Sequence, residues 1–298
     1  MSANQTVRQL ATASIGIAFL VMGLKFLAWH LTGSVALFSD ALESIVNVIA
    51  ASVAWYAIRV SHKPADDDHP FGHHKAEYFS AVTEGVLIVV AAILIIEEAV
   101  QAFWRGPRIF TDMSLGMSIN LVAAVINGLF ASVLIRTGRA ARSPALVADG
   151  KHIMSDVVTS AGVLAGLVLA LATGWLWLDS VMAILVSINI LREGWKVISG
   201  SVSGLMDTSI DGETLDAVRS TIALQATGAI EFHDLKTREA GAARFAEFHL
   251  VVPAAMTVSQ AHDICDRIES ALKKLMPGIS VLIHVEPENK VKHGGISL

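Results

Sequence analysis

The sequence predicts an all-α transmembrane domain of six helices over residues 1–205, followed by a smaller α+β cytoplasmic domain over residues 206–298. Of the 298 residues, 53% are hydrophobic and only 16% are charged, whereas a soluble domain carries about 25% charged residues. Six apolar stretches are each long enough for the roughly 20 residues that a helix needs to cross a bilayer. Beyond the sixth stretch the composition becomes that of a soluble domain.

The six apolar stretches account for most of the first domain. A polar N-terminus leads into the first stretch without a small-residue cleavage site, which predicts a retained span and not a signal peptide. The second and fifth stretches contain polar residues and are less uniformly apolar than the others. The stretches cover 11–31, 34–58, 80–104, 113–135, 145–173 and 176–198.

The distribution of lysine and arginine predicts how the spans are oriented. The connections between spans 2 and 3 and between spans 4 and 5 are basic, whereas those between spans 1 and 2 and between spans 5 and 6 carry no Lys or Arg. Only the connection between spans 3 and 4 departs from this alternation, with Arg105 and Arg108. Because basic loops stay on the cytoplasmic side, both termini are predicted to be cytoplasmic.

The pattern after residue 205 predicts the order α-β-β-α-β, an open α+β sandwich of the ferredoxin-like kind. Thr257 can cap the second helix, with Gln260 at the third position as in a capping box. Gly278 lies just beyond the end of that helix and favours its termination there. The first helix and the three strands are predicted over 212–226, 231–238, 243–252 and 279–286.

Composition also excludes several classes of protein. The net charge of −5 comes without a basic patch or a nucleic-acid motif, so nucleic acid is not an expected partner. The single cysteine, Cys265, excludes an intrachain disulfide and a multi-cysteine metal cluster, and we expect it to be a small buried hydrophobic residue. No motif such as His-Glu-x-x-His offers a general base for a membrane metalloenzyme. We therefore do not expect an enzyme.

Polar and ionisable residues recur at helical spacing in spans 2 and 5. Asp40, Glu43 and Asn47 lie within SDALESIVN, and His152 and Asp156 lie within GKHIMSD. These spacings put each set on one helix face. A charge at the centre of a span costs at least about 2.5–3.5 kcal/mol, so such residues are functional candidates by default. Glu43, Asn47, His152 and Asp156 would supply three oxygens and one imidazole nitrogen to a divalent metal ion.

Two other interpretations apply to the polar residues of the spans. The groups in spans 2 and 5 could simply hydrogen-bond one helix to another, and Asp40 is expected to orient a ligand and not to bind the ion itself. Asn120 and Asn127, seven residues apart in span 4, could line a pathway, but bonding between helices is the expected role. Three glutamates of span 3 are expected to extend their carboxylates towards the membrane surface. They are Glu84, Glu97 and Glu98.

A loop and the C-terminal domain contain further candidate metal ligands. The segment DDDHPFGHH, residues 66–74, combines acidic residues and imidazoles with a turn-forming Pro and Gly, so it could chelate a metal or be an ordinary solvated acidic loop. If Glu239 pairs with Ala243, His233 lies directly opposite His249, which makes a shared site dependent on register. The imidazole and carboxylate candidates of the C-terminal domain are His233, His249, His262, His284 and Glu286.

With these motifs the chain resembles the cation diffusion facilitator family, and most of all its bacterial zinc and iron exporters. The resemblance covers nearly the whole chain and includes PADDDHPFGHHKAE, FHDLKTR, FHL, AHD and IHVEP. It implies a homodimer in the bacterial inner membrane that exchanges a cytoplasmic divalent metal ion for protons. It also implies a transport site formed by two residues from span 2 and two from span 5, a binuclear site in the tail, and three loop ligands: Asp66, His69 and His73.

The sequence departs from the family pattern in span 2. Zinc-transporting members usually have His or Asp followed by Asp there, whereas this chain has Glu43 and Asn47. The resemblance implies Zn²⁺ or Fe²⁺ as the substrate, and this departure leaves Mn²⁺, and after it Co²⁺, Ni²⁺ or Cd²⁺, open. A metal sensor or a passive channel without coupled transport is a further alternative.

Overall fold

The computed structural model describes residues 3–32, 35–105, 114–173, 175, 177–292 and 294–298. The chain forms two compact units, Met1–Val202 and Ser203–Leu298. The predicted connection between spans 3 and 4, with Arg108, lies outside the described residues. The order of helices and strands confirms the prediction of a helical membrane domain followed by an α+β domain.

The first unit is built from long helices. The described part of the chain up to residue 205 contains α1 (Ala3–Thr32), α2 (Val35–Ser61), α3 (Ala76–Arg105), α4 (Ser114–Ala141), α5 (Pro144–Thr173) and α6 (Trp177–Leu205). By length and composition, four segments among the described residues could cross a membrane: Gln5–His30, Ser44–Ser61, Ala76–Gln101 and Leu121–Ala141. A count of six spans remains a prediction, because many residues of α5 and α6 lack described side chains.

Small residues face the interior of the helical unit and large apolar residues face outwards. Ala54 and Ala131 are completely buried, whereas Phe19 and Leu129 are 53% and 68% exposed. Small side chains allow helices to approach closely in a membrane, and lipid accommodates the exposed apolar ones. The surface is therefore that of a helix bundle solvated by lipid.

The second unit is a four-stranded sheet with two helices. Its elements are α7 (Gly212–Gln225), β1 (Glu231–Ala240), β2 (Ala243–Val252), α8 (Val258–Leu275), β3 (Ile279–Pro287) and β4 (Ile296–Ser297). The strand order is β3-β2-β1-β4, with β1 antiparallel to both neighbours and β3 parallel to β2. The sequence pattern missed β4, because two residues are too short to show a period of two.

Local signals place the helix ends of this unit. Thr257 and Gln260 form the predicted capping box at the start of α8. Asp211 caps α7 and accepts hydrogen bonds from the Thr214 hydroxyl and backbone N–H, which lower the pKa of Asp211. The core contains Phe232, Phe248 and Cys265, so the cysteine is buried as predicted.

The β1–β2 hairpin contains a bulge that determines which histidines meet. Near the turn, Ala240 pairs with Ala243 and Glu239 with Arg244, one residue away from the predicted pairing. A register shift between His233 and Lys236 then restores the alignment, so His233 does lie opposite His249. Within that shift Asp234 has a φ of 52°, a left-handed conformation that Asp tolerates better than most residues.

Candidate metal centres

The first candidate centre lies between α2 and α5. Asn47, His152 and Asp156 are 6%, 3% and 8% exposed. Asn47 Nδ2 donates a hydrogen bond to Asp156 Oδ2, and Asn47 Oδ1 lies 2.8 Å from His152 Nε2. The i, i+4 spacing on α5 thus directs both side chains to the same residue of α2.

These contacts bring together three buried side chains that are able to bind a metal ion. With a proton on Nε2, His152 donates to the Asn47 carbonyl oxygen, while its buried Nδ1 has no hydrogen-bond partner. A cation placed among these groups would replace hydrogen bonds that now join amide, imidazole and carboxylate. Such a replacement requires the imidazole to offer a lone pair, so metal and proton compete for it.

Two predicted members of this site cannot be placed at the same level of detail. Glu43 and Asp40 belong to α2, about one and two turns before Asn47. Their side chains lie outside the described residues, so their roles as ligand and as orienting group remain predictions.

The predicted surface position of the span 3 glutamates is wrong for Glu84. Its side chain is completely buried and accepts a hydrogen bond of 3.0 Å from Ser80. Glu97 is exposed and accepts from Gln101, whereas the side chains of Glu98 and Asn120 lie outside the described residues. Packing between helices, which the pattern of one helix does not reveal, decides between burial and exposure.

Sequence reasoning also missed a second buried carboxylate, Asp149. It is 1% exposed and accepts a 2.6 Å hydrogen bond from Ser14 of α1. A signal was present, because Asp149 lies three and seven residues before His152 and Asp156 and therefore shares their helix face.

The second candidate centre is the loop between α2 and α3. Asp66 Oδ1 lies 3.2 Å from His69 Nδ1, and Asp66 Oδ2 lies 3.3 Å from His73 Nε2. One ligand atom from each of these residues lies within 4.8 Å of the other two. The left-handed φ of Gly72, 81°, allows the chain to turn between the two histidines.

The surroundings of this loop lower the pKa of two of its side chains. Desolvation opposes ionisation of Asp66, but hydrogen bonds from the His69 backbone and ring, with the charges of both histidines, outweigh it and lower the pKa of Asp66. Burial lowers the pKa of the adjacent His74, and the charges of His62 and His73 lower it further. The carboxylate therefore stays ionised, and His74 neutral, at lower pH than usual.

The third candidate centre extends across three strands of the C-terminal sheet. His249 pairs with His233 on β1 and with His284 on the parallel strand β3. The ring centroids of these pairs are 5.2 Å and 4.9 Å apart. Glu286 Oε2 lies 3.3 Å from His233 Nε2, and Glu286 Oε1 lies 3.1 Å from His249 Nδ1 and 3.8 Å from His284 Nε2.

Several atoms of this cluster are buried without a hydrogen bond. They include Nε2 of His233, Nδ1 of His249 and Oε2 of Glu286. They approach one another without hydrogen-bond geometry, as ligand atoms do when they face a common point. Two overlapping groups have ligand atoms within 4.8 Å: His233, Asp234 and His249, and His249, His284 and Glu286.

Two acidic residues beside this cluster were not predicted as part of it. Glu231, 2% exposed, lies 3.0 Å from His233 Nδ1 and also accepts from the Lys292 backbone. A proton on Nδ1 leaves the Nε2 lone pair free. Asp234 is exposed, as a solvated charge would be, but its carboxylate reaches the cluster, and the Lys292 ammonium lowers the pKa of Asp234.

In the part of the chain that the structure describes, His262 does not belong to this cluster. It lies on α8, with its side chain 71% exposed, and Nε2 is 3.7 Å from Asp266 Oδ1 on the same helix. The helical spacing of four residues explains this pairing.

An apolar helix bundle with a buried polar cluster, joined to a sheet domain with imidazole and carboxylate clusters, defines a membrane-embedded transporter of cations. The chain belongs to the cation diffusion facilitator, or cation efflux, family. Residues 11–206 match the cation efflux transmembrane domain, and residues 210–288 match the cytoplasmic domain of cation efflux proteins.

Similar proteins cover almost the whole chain. The uncharacterized transporter sll1263 of Synechocystis sp. is 43% identical over 280 residues, 94% of this chain and 90% of that protein. The cation-efflux pump FieF of Escherichia coli O127:H6 is 30% identical over 294 residues, 99% and 97% of the two chains. A solved structure of the zinc form of CzrB is 43% identical and covers 29% of this chain and 99% of its own, with a TM-score of 0.28.

Proposed function

We propose that this protein exports a divalent metal ion, Zn²⁺ or Fe²⁺, from the cytoplasm in exchange for protons. Family membership and the FieF relatives, which are cation-efflux pumps, support export. The observation that carries the proposal is the buried contact of Asn47 with both His152 and Asp156. Glu43 completes the proposed four-ligand transport site, and Asp40 orients it.

We assign a different role to each of the two domains. Residues 1–205 form the six-span transport domain in a bacterial inner membrane, with both termini cytoplasmic, and residues 206–298 form a domain that binds metal and joins two copies of the chain. The sheet cluster supports metal binding there, since its buried nitrogen and oxygen atoms lack hydrogen bonds. Asp66, His69 and His73 would capture metal at the cytoplasmic mouth.

The proposed cycle is alternating access around the α2–α5 site. Cytoplasmic metal binds the deprotonated His152 and the carboxylates, and protons from the other side displace it. An imidazole, whose unperturbed pKa is about 6.5, suits this exchange at physiological pH. Export of Mn²⁺, or of Co²⁺, Ni²⁺ or Cd²⁺, and metal sensing without transport are the alternatives that the assay below separates.

The experiment is a metal flux measurement in proteoliposomes, one metal at a time. We expect His152→Ala and Asp156→Ala to abolish flux while the proteins still insert and purify, because apolar replacements are tolerated in lipid. Thr83→Ala is the matched control, since Thr83 donates only to the Phe79 carbonyl of its own helix among the contacts described. Near-normal flux through folded Asp156→Ala would remove α5 from the site.

A further inference from the structure

We propose that Glu84 and Asp149 form a proton-binding site inside the helical unit, separate from the metal ligands. The inference rests on the proposed antiport and deepens it. The two side chains are 0% and 1% exposed. Their helices pack together at Ala81 and Ala148, which lie three residues before Glu84 and one residue before Asp149. Each keeps one oxygen satisfied by a serine hydroxyl, Ser80 for Glu84 and Ser14 for Asp149.

The other oxygen of each carboxyl group is the evidence for a bound ligand. Oε2 of Glu84 and Oδ1 of Asp149 are buried and have no hydrogen-bond partner in the structure. A buried polar atom without a partner costs about 1–3 kcal/mol, and more if it is charged. A proton bound to one carboxyl group removes one charge and supplies a donor.

Helices pack closely at the residue that follows each acid. Each acid is followed by a glycine, and a Cβ on Gly85 would lie 2.7 Å from the Ile198 side chain, while one on Gly150 would lie 2.8 Å from the Ile135 side chain. Neighbouring helices therefore approach closely beside both carboxyl groups. Apolar residues continue the packing on the same helices: Ala81, Ile88 and Ala148.

Charge considerations then select a proton as the ligand. Among the described titratable groups, Asp149 acts on Glu84 and His152 acts on Asp149. Two ionised carboxylates in an apolar site repel each other and lose hydration, so such pairs retain a proton that they share as a unit. The serine hydroxyls donate one hydrogen bond to each acid and do not neutralise it.

The position of Asp149 links this proton to transport. Asp149 lies one helical turn before His152 on α5. A divalent cation bound at the α2–α5 site would repel a proton on the neighbouring pair through a medium of low dielectric constant. Metal binding would thus release the proton, and protonation of the pair would favour metal release.

The test compares wild type with Glu84→Gln and Asp149→Asn in proteoliposomes, recording metal flux and proton flux together. Each amide keeps the oxygen that accepts from serine and replaces the O–H with an N–H, so a purely structural role is preserved. Glu97→Gln, an exposed acid on the same helix, is the control. We expect both buried variants to move about one proton fewer per metal ion. An unchanged ratio in both would overturn the proposal.

A second measurement does not depend on transport activity. Infrared difference spectra of the purified full chain, Zn²⁺-bound minus Zn²⁺-free, should show loss of a protonated carboxyl band in the wild type. That component should be missing in Glu84→Gln and Asp149→Asn, and its persistence in both would also overturn the assignment. Absence of proton movement in the wild type would instead defeat the antiport, while the band still reports whether the pair holds a proton.

Discussion

Asn47 is the residue that connects α2 with both ligand candidates of α5. Its amide presents a donor to Asp156 and an acceptor to His152, so it uses both ends of a neutral side chain. A carboxylate at this position would have two acceptors and a negative charge, and it would face Asp156 without a proton between them. The metal-free site is therefore better satisfied by Asn than by Asp.

We predict that Asn47→Asp changes the metal preference of transport. The added charge strengthens binding of a cation and changes the hardness of the ligand set. A difference of about 1.4 kcal/mol between two metals would change their ratio about tenfold. Competition of Zn²⁺, Fe²⁺ and Mn²⁺ in the flux assay measures this metal preference.

Asn127→Asp provides the control, because Asn127 is an asparagine of α4 that is also buried, at 5% exposure. It should leave the ratio of the three metals unchanged. If Asn47→Asp also leaves both selectivity and affinity unchanged, Asn47 is a structural residue and not a ligand.

At the scale of elements, the bulge in β1 is the feature that assembles the sheet cluster. Without the register shift near Asp234, the pairing set at the turn would place His233 one residue away from His249, on the opposite face. The left-handed φ of Asp234 absorbs the extra residue. Backbone conformation at one position therefore determines whether imidazoles of β1 and β2 meet.

We predict that Asp234→Val destabilises the C-terminal domain relative to Asp234→Gly. Both variants lose the carboxylate and its 2.5 Å ion pair with Lys292, so their difference isolates the backbone. A left-handed conformation costs a residue with a Cβ about 1–2 kcal/mol. Chemical denaturation of the 206–298 fragment measures this free energy of unfolding, and equal values would show that the bulge tolerates any residue.

We predict that the same fragment folds, dimerises and gains thermal stability from divalent metal. At a metal concentration about 100-fold above Kd the gain is about 2.7 kcal/mol, which raises Tm by roughly 10–20 °C for a domain of this size. The combined variant His233→Ala, His249→Ala and His284→Ala should lose that rise. Thermal melts with and without Zn²⁺ measure it.

His262→Ala is the informative comparison for that experiment. The structure pairs His262 with Asp266 on α8, so the metal-induced rise in Tm should persist in this variant. If His262→Ala loses the metal-induced rise in Tm, His262 is a metal ligand, as the sequence predicts. Retention of the full rise in the triple variant would remove the three strand histidines from the site.

At the scale of the whole molecule, proton competition at the ligands predicts coupled antiport. If His152 and Asp156 bind the cation, protons compete with it for the same atoms, and one locus would alternate between the two kinds of ion. An inward proton gradient would then drive outward metal movement. Metal-loaded proteoliposomes under an imposed pH gradient should show metal efflux together with proton entry, and flux that ignores the gradient would indicate a uniporter or a channel.

Features that depend on neighbouring residues can be predicted from the amino-acid sequence. Long apolar runs predict the membrane helices, Thr257 and Gln260 predict the start of α8, and the i, i+4 spacing predicts that His152 and Asp156 share a face. The loop residues Asp66, His69 and His73 are close in sequence, so a short turn suffices to bring them together. Each of these follows from the backbone within a few turns of one element.

The alignment of separate elements, in contrast, depends on contacts made in the folded protein. The burial of Glu84 depends on helices that pack around α3 and contradicts the local expectation. The meeting of His233 with His249 depends on a bulge that the turn pairing did not reveal. Register and packing are set by contacts between residues far apart in the chain, and these leave no periodic pattern in one segment.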